Sequence, residues 1–127
     1  MGRVVLDSSV VIASLKSSDI HFGVASQALR EGKHINFISA ITLAECLHDA
    51  AVEALAGELS ERIQSRMKVI DVDAEIAQRA AEIRVEHGLK LPDALICATA
   101  QIHKMPLWTF DVQQSKVVAG SRLLKTR

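Results

Sequence analysis

The chain has 127 residues, a length that suits one domain with its own core, and 49% of them are hydrophobic against 24% charged. With three Phe, one Trp and no Tyr, that core must be mostly aliphatic. Fifteen basic and fifteen acidic residues cancel, which excludes a global pull toward nucleic acid or membrane; a polyanion must be met by a local group of cations.

Both cysteines, Cys46 and Cys97, fall inside predicted helices, as ordinary buried thiols do, rather than in a disulfide framework. No secretory leader is expected, because Met1-Gly2-Arg3 runs straight into apolar residues ending at Asp7. Gly2 lacks the Ser or Thr of a myristoylation signal, and no apolar stretch reaches the length of a membrane span. The expected setting is a reducing cytoplasm, and residues 1–127 are expected to form a single domain.

In chain order, Val4 to Leu6 reads as a strand buried on both faces, as in a parallel sheet. Ser8 and Ser9 can cap a helix over Val10 to Lys16, and a second helix is expected from about Ile20 to Arg30, ended by Gly32. Ile35 to Ser39 is the second strand, followed by helix from Ala40 to about Met67, broken near Gly57. Lys68 to Val72 is the third strand. Asp73 caps a helix over Ala74 to His87, where Ile76, Ala80 and Ile83 keep helical spacing and Gly88 stops it. Pro92 opens a helix to about Lys104 that is apolar on most sides and therefore buried. Leu107 to Phe110 is the fourth strand, and Arg122-Leu123-Leu124 a short fifth one at the edge. Strands alternating with helices predict a three-layer α/β/α sandwich on a mainly parallel sheet of four to five strands.

That architecture gives four separated acids a common address. Parallel strands all end at one edge, outside which ligands bind. Asp7 and Asp111 lie at or just past strand ends. Glu45 lies a turn or two into the helix leaving the second strand. Asp93 begins a helix that runs back antiparallel to the strands, so its first turn starts at the same edge. Taken singly, Asp7, Asp93 and Asp111 each read as a helix cap or loop acid. Together, four carboxylates require protons or cations to offset their repulsion, and hard divalent ions with oxygen ligands, Mg²⁺ or Mn²⁺, do so.

The same residues carry a family likeness. Val4-Val5-Leu6-Asp7-Ser8-Ser9-Val10-Val11-Ile12 resembles the opening of PIN-domain ribonucleases. Ile41-Thr42-Leu43-Ala44-Glu45 is similar to the family's second motif, and Leu91-Pro92-Asp93-Ala94-Leu95-Ile96-Cys97-Ala98-Thr99-Ala100 to its third. Trp108-Thr109-Phe110-Asp111 resembles the fourth, and the chain's length suits the VapC-like toxin branch. The resemblance implies a Mg²⁺- or Mn²⁺-dependent endoribonuclease acting on RNA, with Asp7, Glu45, Asp93 and Asp111 as catalytic metal ligands. It further implies a homodimer and a small cognate antitoxin that blocks the site. Where many relatives carry a further Asp or Asn and then Phe, this chain has Val112-Gln113-Gln114-Ser115, and Gln113 is the candidate to hold a metal-bound water without adding charge.

Ser9 and Thr109 are expected to orient carboxylates or waters; local backbone capping is the competing reading of both. Candidate RNA-binding cations are Lys16, Lys90, Lys116 and Arg122, with Arg30, Lys33, Lys125 and Arg127 behind them. Phe22 and Trp108 are assigned to the core, not to base stacking. His48 lacks zinc-type spacing, Asp49 is the reserve acid, and Cys97 is taken as packing. Two other classes compete. An Asp-based phosphotransferase or phosphatase also places an Asp after its first strand, but the dehalogenase type wants an acid where Ser9 stands, and the receiver type wants an acidic pair there and a Lys after a late strand, neither of which is seen. A non-catalytic PIN-like module binding RNA or protein would not need all four acids.

Overall fold

The computed structural model describes residues 2–126. Strand β1 (Gly2–Leu6) is central: it pairs with β2 (His34–Ser39) on one side and β4 (Leu107–Thr109) on the other. β3 (Lys68–Ile70) lies outside β2, and β5 (Arg122–Leu123) outside β4. All pairings are parallel, giving the order β3-β2-β1-β4-β5. Burial of Val4, Val5 and Leu6 alike explains why β1 shows no polar alternation: helices cover both faces.

The helices are α1 (Ser8–Leu15), α2 (Phe22–Arg30), α3 (Ala40–Val52), α4 (Ala56–Gln64), α5 (Ala74–His87), α6 (Leu91–Ile102) and α7 (Val112–Ser115). Because strand side chains alternate, Val4, Leu6 and Trp108 join Val10, Ala25 and Ile63 in one core, while Val5 and Leu107 join Ile76, Ile83 and Ile96 in the other. These are the two interfaces of a three-layer α/β/α sandwich. Each fully buried Ile adds about 1.5–3 kcal/mol. In α6 every residue from Ala94 to Ala100 is buried, as its nearly continuous apolar sequence requires.

Local chemistry sets most boundaries. Asp73 Oδ1 accepts from the Ile76 amide at 2.9 Å and starts α5. Gly88, at φ 68°, ends it in the left-handed conformation that a side chain disfavours. One expectation needs correction and another is sharpened. Asp7, not Ser8 or Ser9, is the N-cap of α1, since both hydroxyls are engaged elsewhere. The break between α3 and α4 falls before Gly57, where Ala54 takes φ 59°; Gly57 itself lies in the first turn of α4. The single turn α7 was not foreseen. Among the described residues, no helix is long and apolar enough to cross a membrane.

The chain leaves β1 toward β2 on one side, yet returns through α5 and α6 to β4 on the other. The sheet therefore reverses its winding between β1 and β4. The carboxyl ends of those two strands flank the crevice where such sheets take ligands.

Candidate metal centre

Asp7 directly follows the end of β1, and Asp111 lies two residues past the end of β4. Asp7 is only 3% exposed, so its carboxylate needs partners within the protein. Its Oδ2 accepts from Ser9 Oγ at 2.5 Å, Thr109 Oγ1 at 2.9 Å and the Ser9 amide at 3.3 Å. Its Oδ1 accepts from Gln114 Nε2 at 3.1 Å. Thr109 is fully buried and also accepts from the Asp111 amide at 2.9 Å, so one hydroxyl ties the two acids together. Asp111 is exposed, and its Oδ1 caps α7 by accepting from the Gln114 amide at 3.0 Å.

Glu45, on α3, is reached from α1: Ser8 Oγ donates to its Oε1 at 2.6 Å and lies 3.0 Å from Thr42 Oγ1. Asp93 stands in the first turn of α6, where the helix dipole favours a negative charge. Burial nevertheless holds its carboxyl above the usual aspartate range, and the charges of Asp7, Asp111 and Glu45 push it further up. Lys90, just before α6, opposes them.

The fold thus brings Asp7, Glu45 and Asp111 within electrostatic reach of Asp93. It does not press them together: no hydrogen bond joins any two, and among the described residues no three His, Cys, Asp or Glu side chains form a ready-made coordination sphere. Like charges facing one crevice stand apart in this way. Among the described residues, the Asp93 carboxylate accepts no hydrogen bond, while Glu45 and Asp111 each use one carboxylate oxygen of two. Hard oxygen donors in excess of nearby positive charge fit a divalent cation such as Mg²⁺ or Mn²⁺.

Two residues at this edge escaped the sequence reading. Ser8 looked like a cap, yet it reaches Glu45. Gln114 is 2% exposed and touches Asp7, whereas Gln113, the expected neighbour, is exposed. The available signal was position: Gln114 is three residues after an N-cap, where a helix turns back on itself. Cys97 lies under the same acids. Burial pushes its thiol up to about 12, with the charges of Asp7, Asp93 and Asp111 adding to the shift and a Gln114 hydrogen bond opposing it.

The expected RNA-binding cations separate. Lys90 borders Asp93, and the exposed Lys116 directly follows α7. Lys16, at the far end of α1 from Asp7, pairs with Asp49 at 3.2 Å, which also occupies the reserve acid. Arg122 pairs with Glu31 at 3.1 Å and lies 4.7 Å over the Trp108 ring. Trp108 is buried in the core, Phe22 only partly. Arg30 lines a cavity of about 560 Å³ between α1, α2 and α4 that contains none of the four acids. Lys33 and Lys125 are exposed; Arg127 lies outside the described residues.

A family model of the PIN domain matches residues 4–120. The chain belongs to the PIN-domain family. Among solved structures, this PIN domain is similar to a toxin–antitoxin complex from Klebsiella pneumoniae, at 29% identity and TM-score 0.78, covering 94% of this chain and 95% of that one. It shares its fold with Mycobacterium tuberculosis VapC20, a sarcin-ricin loop cleaving toxin, at 20% identity and TM-score 0.77, covering 94% and 96%. It also shares it with VapBC2 from Rickettsia felis bound to a promoter DNA fragment, at 18% identity and TM-score 0.76, covering 97% and 99%. No curated protein sequence matches significantly.

Proposed function

We propose that this PIN domain is a Mg²⁺- or Mn²⁺-dependent endoribonuclease and the toxin of a toxin–antitoxin pair, working in the cytoplasm. The observation that carries the catalytic reading is the convergence of Asp7, Glu45 and Asp111 on the half-buried Asp93, at the winding reversal of the sheet. The toxin assignment is supported by family membership and by likeness over nearly the whole chain to the Klebsiella toxin–antitoxin complex.

In this reading Asp7, Glu45, Asp93 and Asp111 hold the cation, directly or through water. When bound there, such a cation would supply Lewis acidity toward water and the phosphodiester. The chain's own residues do the positioning. Ser9 and Thr109 fix the Asp7 carboxylate, and Ser8 fixes Glu45. Lys90 and Lys116 are the cations we assign to the RNA backbone, and such contacts position substrate without reading sequence. A small cognate antitoxin would act by covering this edge, and a homodimer is the assembly we propose for the active protein.

The test is incubation of purified protein with total RNA, with Mg²⁺, with Mn²⁺ and with chelator, beside Asp7→Asn and Asp93→Asn. Cleavage that needs the ion and is lost in both variants is the expected result. Equal cleavage by all three proteins, or cleavage indifferent to chelator, would overturn the nuclease reading. Failure to co-purify with a small protein encoded alongside would remove the toxin assignment alone.

A further inference from the structure

Gln114 is an unusual residue to bury. It is long and polar, yet 2% exposed, and it sits on a four-residue helix too short to hold itself in place. It touches two of the four acids at once. Its backbone amide donates to Asp111 Oδ1 at 3.0 Å, and its side-chain amide donates to Asp7 Oδ1 at 3.1 Å. Its Oε1 lies 3.5 Å from Thr109 Oγ1, the hydroxyl that already joins these acids from the other side. Asp7 and Asp111 thus belong to a closed ring of contacts through Thr109 and Gln114.

Without Gln114 the ring opens. Asp7 Oδ1 loses the one hydrogen bond it accepts among the described residues, and α7 loses its buried anchor. Asp111 is exposed and hangs on that turn. Its distance from Asp7 would no longer be fixed by packing. A cation held by these acids would then have to organise its own ligands on binding, and that ordering weakens affinity. Gln114 is also uncharged, so it steadies the acids without adding to their repulsion.

We propose that Gln114 is a positioning residue that sets the separation of Asp7 and Asp111, and through it the affinity of the site for a divalent cation. This rests on the nuclease reading above.

The variant that isolates the claim is Gln114→Met, which keeps length and removes the donor. Mn²⁺ binding is measured by titration calorimetry on purified protein, together with Tm and with kcat and KM for RNA cleavage. Asp93→Asn and Gln113→Met, on the exposed side of the same turn, are run in parallel. The expected result is a Mn²⁺ Kd raised about tenfold or more, with a lowered kcat at saturating RNA and an unchanged KM for RNA, while Gln113→Met matches wild type. Should Gln114→Met fail to fold, Gln114→Asn takes its place: it keeps the amide, but its shorter arm cannot reach Asp7, and the same loss is expected. Wild-type Mn²⁺ affinity in the folded variant overturns the role of Gln114 while leaving the nuclease reading intact, provided Asp93→Asn has lost the ion. Mn²⁺ binding unaffected in Asp93→Asn, or absent in wild type, overturns both.

Discussion

The Thr109 hydroxyl donates to Asp7 Oδ2 at 2.9 Å while accepting from the Asp111 amide at 2.9 Å, so a residue of β4 spans the acids at the ends of β1 and β4. Replacing it by Val keeps the shape and removes both bonds. Leaving a buried polar group short of a partner costs about 1–3 kcal/mol. Thr109→Val is therefore expected to unfold at lower urea and to cleave RNA at least tenfold more slowly, whereas Thr109→Ser retains most of both. A Val variant with full activity would dismiss Thr109 as ordinary packing.

Asp93 gives a pH prediction with a definite sign. Burial first, then the charges of Asp7, Asp111 and Glu45, make it hold its proton more tightly folded than unfolded. Between its ordinary value of 3.8 and its higher folded value, the folded state binds more protons. Stability therefore falls as pH rises through that window. Asp93→Asn should raise the Tm of metal-free protein at pH 7, with the gain shrinking toward pH 3. Added Mn²⁺ should raise the wild-type Tm and not that of the variant. A lower Tm for metal-free Asp93→Asn at pH 7 would contradict this account.

The two thiols should be silent. Burial, aided by neighbouring acids, pushes both Cys46 and Cys97 up to about 12. The thiolate is the reactive form. Native protein at pH 8 is expected to react with a thiol reagent far more slowly than urea-unfolded protein, and both cysteines should label once unfolded. Prompt labelling of native Cys97 would show that the packing beneath the acids opens readily.

Lys90 and Arg122 were equal candidates in sequence and are unequal in the fold. Lys90 borders Asp93, while Arg122 is engaged by Glu31 and Trp108. Lys90→Ala should weaken RNA binding and reduce the salt dependence of affinity by about one phosphate contact. Arg122→Ala should leave that slope unchanged. Filter binding across a salt series decides between them.

The aliphatic core is open to a direct check. Ile96 is fully buried on α6 against the sheet. Truncation of such a residue costs about 2–5 kcal/mol. Ile96→Ala should show that loss in urea unfolding, and a value under 1 kcal/mol would mean a looser α5–α6 layer than described.

How far the sequence carried the fold depended on the strength of local signals. β1 and α6 were readable because continuous apolar runs mean burial on both sides, and α5 because Asp73 and Gly88 mark its ends chemically. The turn at Ala54 was hidden, since alanine carries no mark of a left-handed backbone, and nearby Gly57 drew the break to itself. Helix α7 is too short for periodicity. At the acidic edge, the position of all four carboxylates followed from strand and helix directions alone. What sequence could not supply was the partner of each oxygen. Ser8 and Gln114 act across 37 and 107 positions of chain, distances over which only the folded sheet supplies a rule.

The placement of β1 between β2 and β4 also sets a clock. The first strand cannot complete its pairing until residues 107–109 arrive, and Asp111 comes later still. A chain stalled during synthesis before that point holds three of the acids but neither Thr109 nor the second wall of the crevice. In the nuclease reading, the complete acidic edge therefore exists only once synthesis has passed β4 and Asp111.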